Sequence, residues 1–165
     1  GTILGVMEPG MRWTGLFTHV EEYDMRIRKD VINLGVDSSA VTKEGQDIYA
    51  SINVNYRIKQ DPNVVLKLYQ NVGIDENIDD ILNLKSIMTE AFKQTTVKYD
   101  WSGILDKREE VKAKTIELIK EHFPKEYVEI QQIVITNIDF SQDFKKEFEH
   151  EDFSTWANFR TDPKI

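Results

Sequence analysis

The segment Ile48-Tyr49-Ala50-Ser51-Ile52-Asn53-Val54-Asn55-Tyr56-Arg57-Ile58 constrains the fold of this chain more than any other. Its even positions read Ile, Ala, Ile, Val, Tyr, Ile, and its odd positions Tyr, Ser, Asn, Asn, Arg. Successive side chains of a strand point to opposite faces. The pattern therefore sets one apolar face on a core and turns a mainly polar face toward water or a partner. Just upstream, Glu44-Gly45 offers a residue that tolerates positive φ, which predicts a hairpin back onto Val31 to Ala40.

Strands dominate the first third. Pro9-Gly10 reads as a turn closing a short strand at Thr2 to Met7. From His19 to Ile27, Tyr23, Met25 and Ile27 alternate with Glu22, Asp24, Arg26 and Arg28, the pattern of a half-buried strand. Val31 to Val36 and Ile48 to Ile58 add two more, so an antiparallel sheet is expected.

Helices follow. Asp61-Pro62 sets an N-cap and a proline at the first helical position, and Gly73 ends that helix. Asp75-Glu76-Asn77 opens a helical region in which Ile78, Ile81, Leu82, Leu84, Met88, Ala91, Phe92, Thr95 and Tyr99 keep helical spacing. A third helix is predicted from Ser102 to Phe123, with Ile104, Val111, Thr115, Leu118 and His122 near one stripe, Glu110 paired to Lys114, and Pro124 as its stop. The strand from Tyr127 to Phe140 changes phase at Gln131-Gln132, which predicts a bulge. Ser141 then caps a last helix through Phe144 and Phe148.

Composition narrows the function classes. At 165 residues with 40% apolar and 30% charged side chains, the chain has the makings of one well-buried domain or two small packed subdomains. The net charge of −8 disfavours nucleic acid and purely electrostatic docking on anionic lipid. With no cysteine there is no disulfide, thiolate nucleophile or thiolate zinc site, and a reducing compartment is the natural fit. Ile3-Leu4-Gly5-Val6-Met7 is far shorter than the roughly 20 apolar residues of a membrane span. The start has no basic region or apolar core of a signal peptide, and the missing initiator methionine suggests an excised piece.

The residues offer no catalytic constellation, no cofactor motif and no metal-ligand set. His19, His122 and His150 lie far apart, without metal-binding spacing. Asp75, Glu76, Asp79 and Asp80 lack the order of a calcium loop and stand where a helix start favours carboxylates. Neither a nucleophile elbow nor a phosphate-cradling glycine loop is present. Two groups do stand out. Trp13, Leu16 and Phe17 follow a tight turn and either pack into the sheet or form a membrane-facing tip. Phe148, Phe153, Trp156 and Phe159 sit among charged residues near the end, and either fold back on the domain or contact a partner or a second copy.

Several short motifs, in order from Gly1 to Glu149, resemble those of the SPFH or band-7 domain, the family of stomatins, prohibitins, flotillins and the bacterial HflK and HflC proteins. Pro9-Gly10-Met11-Arg12-Trp13 resembles the family's first turn, and Val20-Glu21-Glu22-Tyr23-Asp24-Met25-Arg26 its following strand. Thr42-Lys43-Glu44-Gly45-Gln46 with Val54-Asn55-Tyr56-Arg57-Ile58 resembles its central strand. Leu68-Tyr69-Gln70-Asn71-Val72-Gly73, the run Leu105 to Val111 through Arg108, and Val134 to Ser141 fit as well. The spelling is nearest the prohibitin branch.

The resemblance implies an α/β (α+β) domain in which an antiparallel sheet packs with helices, in two continuous subdomains at 1–99 and 100–149, followed by an atypical aromatic tail at 150–165. It implies a non-enzymatic, membrane-associated scaffold that forms homo-oligomers, organises membrane microdomains or restrains a membrane AAA protease. The membrane anchor is expected outside this chain, with the domain itself soluble and facing a reducing or neutral compartment. No family catalytic residue exists to carry over. One departure is plain: where the family continues into a heptad helix, this chain has His150-Glu151-Asp152-Phe153-Ser154-Thr155-Trp156-Ala157, and Asp162-Pro163 would end any helix there. The alternative to a scaffold is a monomeric adaptor that binds another protein through the polar sheet face or the aromatic tail.

Overall fold

The computed structural model describes residues 5–7, 10, 20, 22–35, 39–73, 78–141 and 143–146. In chain order they form β1 (Arg28–Leu34), β2 (Ala40–Val41), β3 (Asp47–Ile58), α1 (Pro62–Asn71), α2 (Ile78–Ile81), α3 (Leu84–Thr96), α4 (Trp101–Asp106), α5 (Arg108–His122) and β4 (Val128–Phe140). The fold is an antiparallel sheet packed with helices.

The alternating strand is the centre of that sheet. β3 pairs antiparallel with β4 on one side. On the other side it pairs with β1, from Arg28↔Tyr56 to Leu34↔Ala50, and then with β2, at Ala40↔Ile48 and Val41↔Asp47. β1 and β2 thus share one edge, interrupted opposite Tyr49. Every even residue of β3 from Ile48 to Ile58 is buried, while the odd residues are half-buried or exposed. α3 packs against β1, β2 and α5, and α5 against β4, so Met88, Phe92, Val111 and Ile119 join the even residues in one core.

Two bulges keep β4 in phase with that core. Asn55 faces Gln132 and Tyr56 faces Ile130, leaving Gln131 as the extra residue. The expected bulge therefore lies at Gln131, and it keeps Val128, Ile130, Ile133 and Ile135 all opposite inward residues of β3. A second shift, between Tyr49↔Asp139 and Ser51↔Thr136, was not foreseen; Asn137 adopts φ 57 there and returns Ile138 and Phe140 to the interior. Asn is one of the few residues that accept this conformation cheaply.

Local chemistry explains where helices begin. The Asp61 carboxylate accepts from the Asn63 amide at 2.9 Å and Pro62 opens α1, as expected. The Gly73 amide, at φ 122, donates to the Leu68 carbonyl at 3.1 Å and closes α1. Ser141 accepts from the Phe144 amide at 3.2 Å and caps a helical turn at 143–146.

Three expectations need correction. The described residues between His19 and Ile27 form no strand. The Asp24 carboxylate accepts from the Arg26 amide at 3.0 Å and also binds its guanidinium, a local turn that competes with ladder pairing, while the Tyr23 hydroxyl donates to the Gly73 carbonyl. The helical region after Asn77 is broken at Asn83, which takes φ 54 and separates α2 from α3. The helix foreseen from Ser102 to Phe123 is two helices. Asp100 caps α4 through the Gly103 amide at 2.6 Å, and Lys107, at φ −120 and ψ 36, separates it from α5. Ile119, rather than Leu118 or His122, completes the buried stripe of α5, with the Glu110–Lys114 pair present at 3.3 Å. The strand proposed at Thr2 to Met7 and the subdomain boundary at 149–150 lie wholly or partly outside the described residues.

Candidate functional site

The Thr42-Lys43-Glu44-Gly45-Gln46 turn is structural. Thr42, buried, donates its amide to the Gln46 carbonyl at 2.8 Å and accepts the Gln46 amide on Oγ1 at 3.1 Å. Gly45, at φ 86, gives its amide to the Thr42 carbonyl at 3.0 Å. The turn then reaches across the fold: the Lys43 amide donates to the Tyr99 carbonyl at 2.8 Å, and Glu44 Oε1 accepts from the Trp101 amide at 2.6 Å. Glu44 thereby satisfies a donor at the start of α4 and ties the hairpin to that helix.

Polar rows run across the odd face of the sheet. Ser51 Oγ donates to Asn33 Oδ1 at 2.9 Å, Asn55 Nδ2 to Gln132 Oε1 at 3.4 Å, and Arg57 Nε to Glu129 Oε2 at 3.1 Å. Each pair joins neighbouring strands and is open enough to exchange its bond for a partner's. At one end of this face Tyr49, Arg108, Lys112, Asn137, Ile138 and Asp139 line a cleft. Burial opposes ionisation of Asp139. The Lys145 ammonium and the Phe140 amide outweigh it and hold the carboxyl below its ordinary value. Among the described residues this face offers amides, hydroxyls and a few charges.

A second site lies at the β1 edge. Asp30, Asp79, Asp80, Asn83, Lys85 and Ser86 line a cavity of about 230 Å³. Asp30 is only 7% exposed, and its Oδ2 has no hydrogen-bond partner among the described residues. The Tyr56 ring is wholly buried, and its hydroxyl donates to Asp79 Oδ1, so the central strand is bonded to one of the residues that line the pocket. Burial first, and then Asp79, keep the Tyr56 phenol protonated far above its ordinary range. Burial also pushes the Asp30 carboxyl up, helped by Asp79 and Asp80 and opposed by Lys85.

That shift has a defined sign. An acid with a raised folded pKa binds more protons folded than unfolded, starting near the ordinary aspartate value of about 3.9. Its stability cost therefore grows as pH rises through the window from that value to the raised one, and is complete above it. Asp30→Asn is expected to unfold at a higher temperature than the parent at neutral pH, with the gap narrowing as the pH falls toward about 4. Thermal melts across that range check it; parallel curves would exclude Asp30 as the source.

Some expected positions come together here and others do not. Asp79 and Asp80, read from sequence as helix-start carboxylates, also face the pocket. Asp75 and Glu76 lie outside the described residues, as do Trp13, Leu16 and Phe17, and Phe153, Trp156 and Phe159. His122 is exposed on the last turn of α5. Asp30 lies outside the strand that the sequence predicts from Val31, whereas β1 begins at Arg28. The readable signal was its phase, since Asp30, Ile32 and Leu34 share the inward face of β1.

Comparison with known proteins agrees with this architecture. A family model described as the SPFH domain / Band 7 family matches residues 1–153. No curated protein matches the chain.

Proposed function

Because the chain belongs to the SPFH domain / Band 7 family, which is associated with membrane scaffolding and is generally non-enzymatic, we propose that it is a non-enzymatic scaffold module that self-associates on a membrane. The observation that carries this reading is the family match across residues 1–153, together with the antiparallel sheet and helices that such a domain requires. The polar odd face of the sheet supports it, since its cross-strand pairs can be traded for contacts between copies. The prohibitin-like spelling of the motifs makes that branch our preferred assignment, and a membrane AAA protease the partner class to test first. Among the described residues no helix is long and apolar enough to cross a membrane. In this reading, attachment comes from an anchor elsewhere in the protein, reinforced by Trp13, Leu16 and Phe17.

Two measurements test it. Light scattering across concentration, on this chain and on the protein at its natural length, is expected to show a large defined assembly for the natural protein. If both stay monomeric, with and without vesicles, the adaptor reading replaces the scaffold. Vesicle flotation of the Trp13→Asp/Phe17→Asp variant is expected to show at least about tenfold weaker binding, because a carboxylate at the interface opposes insertion. Unchanged flotation removes the tip from the mechanism. Loss of assembly in Trp156→Ala would place the tail at a contact.

A further inference from the structure

We propose that the pocket formed by Asp30, Asp79 and Asp80 receives the guanidinium of an arginine presented by a protein partner. Asp30 has already borne the cost of leaving water, yet among the described residues no donor reaches its enclosed Oδ2. A buried acceptor left unsatisfied is expensive, and a donor supplied from outside recovers that cost on binding. Three carboxylates against one ammonium, that of Lys85, leave the cavity wall acidic. Arg28 does not line the cavity, but it acts on the phenol of Tyr56 beside Asp79 and its Nη2 donates to the Asp24 carbonyl at 3.1 Å, so its charge offsets part of this acidity without filling the space.

The dimensions favour an organic cation over a metal ion. Among the described residues no three His, Cys, Asp or Glu side chains converge closely enough to hold a metal. The cavity, at about 230 Å³, has room for several waters at about 30 Å³ each. A planar guanidinium spans carboxylates that are too far apart to share one ion, forms two parallel bonds to a carboxylate, and loses less hydration than an ammonium. Lys85 lines the same wall and, among the described residues, closes no ion pair, so it acts as an internal competitor rather than a fixed partner.

Nα-acetylarginine methylamide is the probe, titrated into isotope-labelled protein at neutral pH and low salt and followed by amide NMR shifts. Its uncharged isostere, Nα-acetylcitrulline methylamide, is the control. Saturable shifts confined to Asn83, Lys85, Ser86 and the β1 edge are expected, with Kd of about millimolar order. The citrulline probe is expected to bind at least about tenfold more weakly, Asp30→Asn to lose binding, and Lys85→Gln to tighten it. Asp80→Asn, at an exposed position where the fold is least affected, gives a second weakening variant. Equal response to citrulline, shifts scattered over surface carboxylates such as Glu109 and Glu117, or unchanged binding in folded variants would each overturn the proposal. Tighter, saturable binding of calcium or magnesium at the same amides would replace it with a metal site.

Discussion

Tyr56→Ala is expected to lower the unfolding free energy by about 3–5 kcal/mol, the range for removing a buried aromatic ring. Tyr56 is among the largest wholly buried side chains and stands near the C-terminal end of the central strand, between Arg28 of β1 and Ile130 of β4. Its ring meets Phe123 edge-on at 6.1 Å, a contact worth about 0.5–1.5 kcal/mol beyond the buried area. With total stabilities of about 5–15 kcal/mol for domains in general, the alanine variant should sit close to unfolding. Tyr56→Phe separates the two roles of the residue. It keeps the ring and removes only the donor to Asp79, for an expected loss of about 0.5–1.5 kcal/mol. Urea denaturation of the three proteins gives both numbers. A loss under about 1 kcal/mol for alanine would mean that the core closes without the ring.

Gly35→Ala is expected to cost about 2–4 kcal/mol although it adds a single methyl group. Gly35 has φ +100, and a Cβ there would lie 2.0 Å from Cδ1 and 2.8 Å from Cγ of Tyr49. Those atoms lie near the root of the side chain, so the ring must swing away from the interrupted edge or the edge must reopen. Tyr49→Ala in the same chain should restore the steric part and leave the backbone strain, about 1–3 kcal/mol. A double-mutant cycle measured by denaturation isolates the two. Additive losses would show that the ring is not what Gly35 makes room for.

The sequence was most readable where one physical rule acted alone. The alternation from Ile48 to Ile58 needs only the pleat, and every even residue is buried. Gln131 was legible as an extra residue because the apolar phase on either side of it disagrees. Asp61-Pro62 and Ser141 were legible because capping is a contact within a few residues. Failures came where a local bond or a backbone angle overruled a good periodicity. Asp24 turns back on Arg26 where alternation predicted a strand, and Asn83 and Lys107 break helices whose apolar spacing runs on unchanged. The acidic pocket was half legible. Asp79 and Asp80 were noticed as charges at a helix start, but only the pairing of Asp30 with Val54 in the ladder brings the third carboxylate alongside them.

The two irregularities in β4 bear on how copies of this chain can meet. Among the described residues, the side of β4 turned away from β3 carries no strand, which leaves a row of backbone donors and acceptors that invites another chain to pair. Bulges at Gln131 and at Asn137–Ile138 cut that row into short stretches of regular register, 128–130, 132–136 and 139–140. A newcomer would have to reproduce both offsets to extend the sheet, and a generic extended segment cannot. Among the described residues this edge is ill suited to open-ended strand addition, so in the scaffold reading proposed above contacts between copies would fall to side chains on the sheet face and the pocket rim, where composition can choose the partner.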